Sequence, residues 1–209
     1  MQKFTTLRGP AAPFMRQNVD TDVVIRVEHL LTRERDELGA FCFEALRFLS
    51  GGVENPEFLL NQPPWRGCPI LLAGPNFGCG SSREGAVWAL MGIGIRCVVA
   101  PTFGEIFFNN CFQNGVLPVV LPESDIETLA EEMRLAPECA QVTVDLEHKS
   151  IISAAGRVFF FNLDENRRQA LLQGLDDISL TLRRELEIDA FQRADSRTRP
   201  WIYLRRRVG

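Results

Sequence analysis

A chain of 209 residues, 45% of them hydrophobic, is long enough for one large domain, with or without appendages. No apolar run approaches the roughly 20 residues that span a bilayer, and the start MQKFTTLRG has no apolar signal-peptide core, so no membrane partner and a cytoplasmic location are expected. The formal charge of −4 is uneven: residues 193–209 hold six arginines against Asp195, a net of +5, which leaves −9 on the rest and argues against a nucleic-acid partner.

In chain order, residues 3–8 read as a first strand. Pro10, Pro13 and the acidic stretch Asn18-Val19-Asp20-Thr21-Asp22 follow, leading into the apolar residues 23–25. Residues 33–49 mix charge with Leu38, Phe41, Cys42, Leu46 and Leu49 at roughly helical spacing. Residues 50–67, with Gly51, Gly52, Pro56, Pro63 and Pro64, read as loop. PILLA, residues 69–73, is a short apolar run bounded by Pro and Gly and reads as a buried strand.

The turn after it carries the chemistry. Gly78 and Gly80 can take positive φ and bring backbone N–H groups close to a ligand. Ser81 falls at the expected N-cap, with Glu84 three residues on as in a capping box, before a helix over residues 83–91. A helix start favours a carboxylate or phosphate, and Arg83 adds a two-pronged donor for carboxylate. The stretch lacks the Gly-Lys-Ser/Thr of a phosphate-binding P-loop, the full dinucleotide spacing and the Gly-x-Ser-x-Gly of a nucleophile elbow. On spacing alone, a purely structural strand-to-helix turn explains it equally well. Cys79 beside a helix start is a second candidate nucleophile, with neither His29 nor His148 near it in sequence.

Residues 96–100 read as another buried strand, 104–112 as a helix, Asn114-Gly115 as a turn and 117–121 as a strand. That alternation argues for parallel strands with crossover helices. Ser124 to Glu127 has capping-box spacing, with helix to Leu135. Residues 141–161 alternate as in a β-meander, and Asp164 is placed to cap a helix over 165–173 that Gly174 ends. The six cysteines, at 42, 68, 79, 97, 111 and 139, include no Cys-x-x-Cys pair, so the chain is expected to hold no metal or cluster of its own.

The segment NFGCGSSREGAVWAL, residues 76–90, resembles the Gly-x-Gly-Ser-Ser-Arg-Glu signature of the aconitase-superfamily swivelling domain, and within it the family of 3-isopropylmalate dehydratase small subunits. NVDTDVVI at 18–25, APTFGEIFFNNCFQNGVLP at 100–118 and LDDISLTL at 175–182 resemble further blocks of that family in the same order. The likeness runs from about residue 3 to residue 192.

The resemblance implies an α/β swivelling fold over residues 1–192, with a central mixed or barrel-like sheet flanked by helices, and a basic tail over 193–209. It implies a hydro-lyase subunit that isomerises 2-isopropylmalate to 3-isopropylmalate in leucine biosynthesis. Its partners would be a large subunit bearing a 4Fe-4S cluster and a small dicarboxylate substrate. Ser81 matches the catalytic base. Ser82, Arg83 and Gly80 match substrate-binding positions, and Arg47, which falls where related small subunits have Arg, is expected to bind substrate too, an exposed structural arginine being the equal alternative. Asp20 and Asp22 match the acidic block that positions partners across the subunit interface, although turn roles suit both. Gly85 replaces the usual His, and Ile25-Arg26-Val27 replaces Ile-Pro-Lys. These departures leave open another malate derivative (methylmalate, citraconate or homocitrate type) as substrate, and a non-catalytic anion-binding partner is the remaining alternative.

Overall fold

The computed structural model describes residues 1–80 and 83–203. Ser81 and Ser82, the expected base and its neighbour, lie outside the described residues, as do residues 204–209 of the tail. By contacts the chain divides into two compact units, 1–174 and 175–209, and the division expected at residue 192 falls inside the helix Glu185–Thr198.

The first unit holds two four-stranded sheets. Strands β1 (Thr6–Gly9) and β2 (Ala11–Phe14) are separated only by Pro10, yet they enter different sheets. With β3 (Ile70–Ala73), β4 (Cys97–Ala100) and β5 (Leu117–Val120), β2 forms a wholly parallel sheet in the order β2-β3-β4-β5. With β6 (Val142–Asp145), β7 (Ser150–Ile152) and β8 (Val158–Phe160), β1 forms an antiparallel sheet in the order β1-β6-β7-β8. The mixed strand directions of this α/β fold are therefore segregated. In β2, β3 and β4 every residue is buried, which means that both faces are covered, as parallel sheets require. In β6, VTVD, burial alternates, so one face alone packs on the core. Pro13 obscures β2 in the sequence, but an edge position in the sheet tolerates a missing N–H.

Between β2 and β3 lie α1 (Thr21–Val24), α2 (Val27–Thr32), a 3-10 turn at Arg35–Phe41 and α3 (Glu44–Arg47). The continuous helical pattern over 33–49 breaks at Cys42 and Phe43. Cys42 is extended and Phe43 left-handed with φ 54°, and both are fully buried, so packing fixes a bend where spacing alone would continue the helix. Phe43 sits against Phe14 and Phe58, with ring centroids 5.3 and 6.0 Å away.

Helices α4 (Glu84–Gly92) and α5 (Glu105–Asn114) connect the parallel strands and pack on each other. Helix α6 (Glu123–Leu135) buries Ile126, Leu129, Ala130 and Met133, a single stripe at helical spacing, and lies across β2, β3 and β4. It starts at Glu123 behind Pro122, so the expected box at Ser124 does not form. Helix α7 (Glu165–Gln173) is capped by Asp164, whose carboxylate accepts from the N–H groups of Asn166 and Arg167, and Gly174 ends it at φ 70°, as its sequence dictates. The second unit comprises α8 (Asp177–Leu182), α9 (Glu185–Thr198) and a 3-10 turn at Pro200–Ile202.

Candidate active site at the carboxyl ends of the parallel strands

Strands β2, β3 and β4 are level in register, with Ala11 beside Ile70 and Ile70 beside Cys97. Their carboxyl ends consequently deliver three loops to one edge of the sheet, the usual location of sites in parallel sheets. The middle loop, residues 74–80, is clamped from both sides by main-chain bonds. On one side Gly78 N–H donates to the Val19 carbonyl at 2.7 Å, Thr21 N–H to Cys79 at 3.1 Å and Asn18 N–H to Pro75 at 2.9 Å. On the other, Phe77 N–H donates to Thr102 at 3.1 Å and Gly104 N–H to Phe77 at 2.9 Å. The Thr102 hydroxyl accepts from Asn76 N–H at 2.8 Å. The loop thus prolongs the sheet by two parallel bridges, Asp20 with Cys79 and Phe77 with Phe103.

Phe77 and Gly78 are buried, Cys79 is half-buried and Gly80 is exposed, so the chain rises from the core to the surface just before the serines. Both glycines are required. Gly78 has φ 72°, and a Cβ there would lie 2.3 Å from the Phe107 ring; Gly80 has φ 84°, and its Cβ would lie 2.9 Å from Oδ2 of Asp20. The other carboxylate oxygen of Asp20 accepts from Asp22 N–H and caps α1. Asp20 therefore makes the turn and also borders Gly80, while Asp22 is exposed in the first turn of α1.

Beyond the two undescribed serines, Arg83 is exposed and stands at the N-cap position of α4 with no side-chain cap bond. Among the described residues it forms no ion pair. The capping box expected from Ser81 and Glu84 is corrected here: Glu84 is the first helical residue, not the third, and its carboxylate turns to a buried partner. It accepts from Nδ2 of Asn114 at 2.8 Å. The same amide donates to the Asn110 carbonyl at 3.0 Å and accepts from Trp88 Nε1 at 2.8 Å and Arg35 Nη2 at 3.0 Å. Asn114 thus joins α4, α5 and the 3-10 turn with every hydrogen-bonding position used. In sequence, Asn114-Gly115 signals only a turn, and nothing in the spacing marks the asparagine as a hub.

Arg47 is not brought to this loop. Its guanidinium donates to the carbonyls of Gly39 at 3.2 Å and Cys42 at 3.4 Å and lies near Asn61. Gly39 in turn packs on Gly92, at the far end of α4 from Arg83. His29 stacks on Phe41 with centroids 4.1 Å apart and meets Glu44 Oε2 at 2.8 Å.

Cys42, Cys68, Cys97 and Cys111 are buried in different elements; burial pushes Cys68 up to about 11 and the other three higher still, with Cys97 adding to the rise at Cys111. Among the described residues no three His, Cys, Asp or Glu side chains gather to hold a metal.

Comparison with known proteins bears on the family and the fold. Residues 1–124 match the family described as the aconitase C-terminal domain, and residues 177–203 match the family described as the C-terminal domain of the 3-isopropylmalate dehydratase small subunit. The 3-isopropylmalate dehydratase small subunit of Cupriavidus necator is 51% identical over 205 residues, covering 97% of this chain and 99% of that one. That of Rhodospirillum rubrum is 48% identical over 208 residues and covers 100% of both. In fold the chain is similar to the crystal structure of 3-isopropylmalate dehydratase from Methanocaldococcus jannaschii, with a TM-score of 0.63, 24% identity, and coverage of 88% of this chain and 98% of that one.

Proposed function

We propose, since the chain belongs to the family of 3-isopropylmalate dehydratase small subunits, that loop 76–83 supplies this protein's share of the chemistry. That chemistry is the isomerisation of 2-isopropylmalate to 3-isopropylmalate in leucine biosynthesis, by loss and return of water across adjacent carbons. The clamped main chain of residues 76–80, which leads through Gly80 to an exposed Arg83, is the observation that supports this reading best.

Removing a weakly acidic C–H proton beside a carboxylate needs a base and a cation that holds the carboxylate within reach. Ser81 is the base by resemblance to the family. A free serine is too weak a base, so its alkoxide requires donors and positive charge close by, and the start of α4 and Arg83 follow directly in the chain. Ser82 hydrogen-bonds the site, Gly80 lets substrate approach the backbone, and Arg83 clamps a substrate carboxylate through two parallel bonds. Asp20 and Asp22 shape the rim beside Gly80 and face the partner. Arg47, which donates to the Gly39 and Cys42 carbonyls, holds the segment between β2 and β3 in place.

The departing hydroxyl needs a Lewis acid, which we assign to a 4Fe-4S cluster on a large subunit, because the described residues of this chain would not hold one. No helix of the described residues is long and apolar enough to cross a membrane, and a cytoplasmic location completes the reading.

The test is turnover by the complex reconstituted with its large subunit. Ser81→Ala should lower kcat by about 10²–10⁴-fold with KM nearly unchanged, since the lost interaction belongs to the transition state. Arg83→Lys should chiefly raise KM, because a point charge replaces a planar fork. Cys79→Ser should be mild. Near-normal turnover in Ser81→Ala with none in Cys79→Ser would overturn the serine base and revive the thiol. A panel of malate derivatives offered to the same complex fixes the substrate.

A further inference from the structure

Resting on the reading that the loop after β3 delivers the base, we propose that Asn76 is a positioning residue of that loop, bolting it through its side chain to Asn18 on the neighbouring loop.

Of the four non-glycine residues with positive φ among the described residues, two are Asn18, at 53°, and Asn76, at 59°. The left-handed region costs energy for a residue with a Cβ, least for asparagine, and such backbone collects where function dictates geometry. Here the two outliers are partners. Nδ2 of Asn76 donates to Oδ1 of Asn18 at 2.9 Å, across the gap between the loops that follow β2 and β3. On its other side the Asn76 N–H donates to the Thr102 hydroxyl, beyond β4, at 2.8 Å. One residue therefore ties together the carboxyl ends of three successive parallel strands.

Folding of the sheet does not require this tie, because the ladders of β2, β3 and β4 and the main-chain bonds of Phe77 and Gly78 already join the strands. What the side-chain link adds is a fixed separation between the loop that starts α1 at Asp20 and the loop that leads through Gly78 and Gly80 to the serines. Glycines leave a chain free to change direction, so the residues beyond them keep their aim only if the base of the loop is held. Proton abstraction is sensitive to that aim: displacement by about 1 Å costs on the order of 10²-fold in rate. Arg83 depends on the link less, since it stands at the start of α4, a helix packed on the 3-10 turn at Arg35–Phe41. Loss of the link should consequently act on kcat more than on KM. The bond also has a direction. Asn76 donates and Asn18 accepts, so a carboxylate can replace the second amide and not the first.

The test pairs two readouts: hydrogen exchange at the Phe77 and Gly78 amides in the full chain alone, and turnover of 2-isopropylmalate by the complex with its large subunit. Glycine keeps the left-handed backbone and removes only the side-chain amide. Asn76→Gly and Asn18→Gly should each speed that exchange about tenfold, with exchange in α6 unchanged. Each should also lower kcat about tenfold with KM within about threefold. Asn18→Asp keeps the accepting oxygen and should retain the protection and most of the turnover. The double glycine variant should fall no further than either single one, since both remove the same bond. Unchanged exchange in the glycine variants overturns the link, whatever the substrate. Faster exchange with normal kcat, or a rise in KM alone, overturns the positioning role, and so does an Asn18→Asp chain as impaired as Asn18→Gly. Ser81→Ala, run alongside, separates the two readings: full turnover there with loss in the glycine variants would sink the serine base and leave the link standing.

Discussion

At position 85, in the first turn of α4, a Cβ would lie 2.2 Å from Cδ2 of Leu30 on α2. The family resemblance leads one to expect histidine there, and the structure shows why this chain has none: Leu30 takes the space. Gly85→His should therefore destabilise, since overpacking costs about 1–3 kcal/mol against a helix-propensity gain of roughly 0.3–0.5 kcal/mol. For a chain of this size each kcal/mol moves Tm by roughly 2–4 °C. Adding Leu30→Ala should recover much of the loss in a thermal melt, and a pair of effects that simply add would show that the two residues do not compete. Gly80 is constrained on two counts. Its φ of 84° and its closeness to Asp20 predict that Gly80→Ala costs about 1–3 kcal/mol of backbone strain and loses activity more than it loses folded protein, measured as specific activity against the far-UV signal.

Among the elements, α4, α5 and the 3-10 turn at Arg35–Phe41 meet at the amide of Asn114, which is 7% exposed. Asn114→Ala leaves Glu84 and the Trp88 indole without their partner, and each buried group so orphaned costs about 1–3 kcal/mol, so a clear fall in denaturation midpoint is expected. Asn114→Asp sets two carboxylates against each other, and Glu84→Gln in the same chain should restore part of the stability by reversing the donor. A double-mutant cycle showing no coupling would sink this account of the hub. Which of these features the residues announce follows from their range in sequence. Strands β3, β4 and β5 are short apolar runs between turn residues, and Asp164 with Gly174 brackets α7, so local chemistry suffices for them. The loop glycines, Arg83 and the acidic pair are legible because a motif carries them. The bend at Phe43, the hub at Asn114, the clamp from Thr102 and Gly104, and Arg47's ties to carbonyls are not, because each depends on a partner distant in the chain. The start of α4 departs from its local capping pattern for the same reason: the pull of Asn114 on Glu84 competes with it.

For the molecule as a whole, four buried thiols set an alkaline limit. Unfolded thiols titrate near 9.0, whereas Cys68 is held up to about 11 and Cys42, Cys97 and Cys111 beyond it. Below pH 9 both states keep these protons. Above it the unfolded chain releases protons that the folded chain retains, so stability should fall by about 1.4 kcal/mol per thiol per pH unit. Melts at pH 8 and pH 10 should show the drop, and Cys97→Ala should make it shallower; an identical slope in the variant would assign the alkaline loss to other groups. The arrangement of β1 and β2 has a consequence in time. On either side of Pro10, residues Thr6–Phe14 supply the outermost strand of both sheets, and β1 finds its neighbour only at Val142–Asp145. At 5–20 residues per second on the ribosome, that neighbour is made on the order of ten seconds after β1. Throughout that interval the nascent chain carries an unpaired β1 edge, open to chaperones and to other nascent chains, and the antiparallel sheet closes among the last events of synthesis.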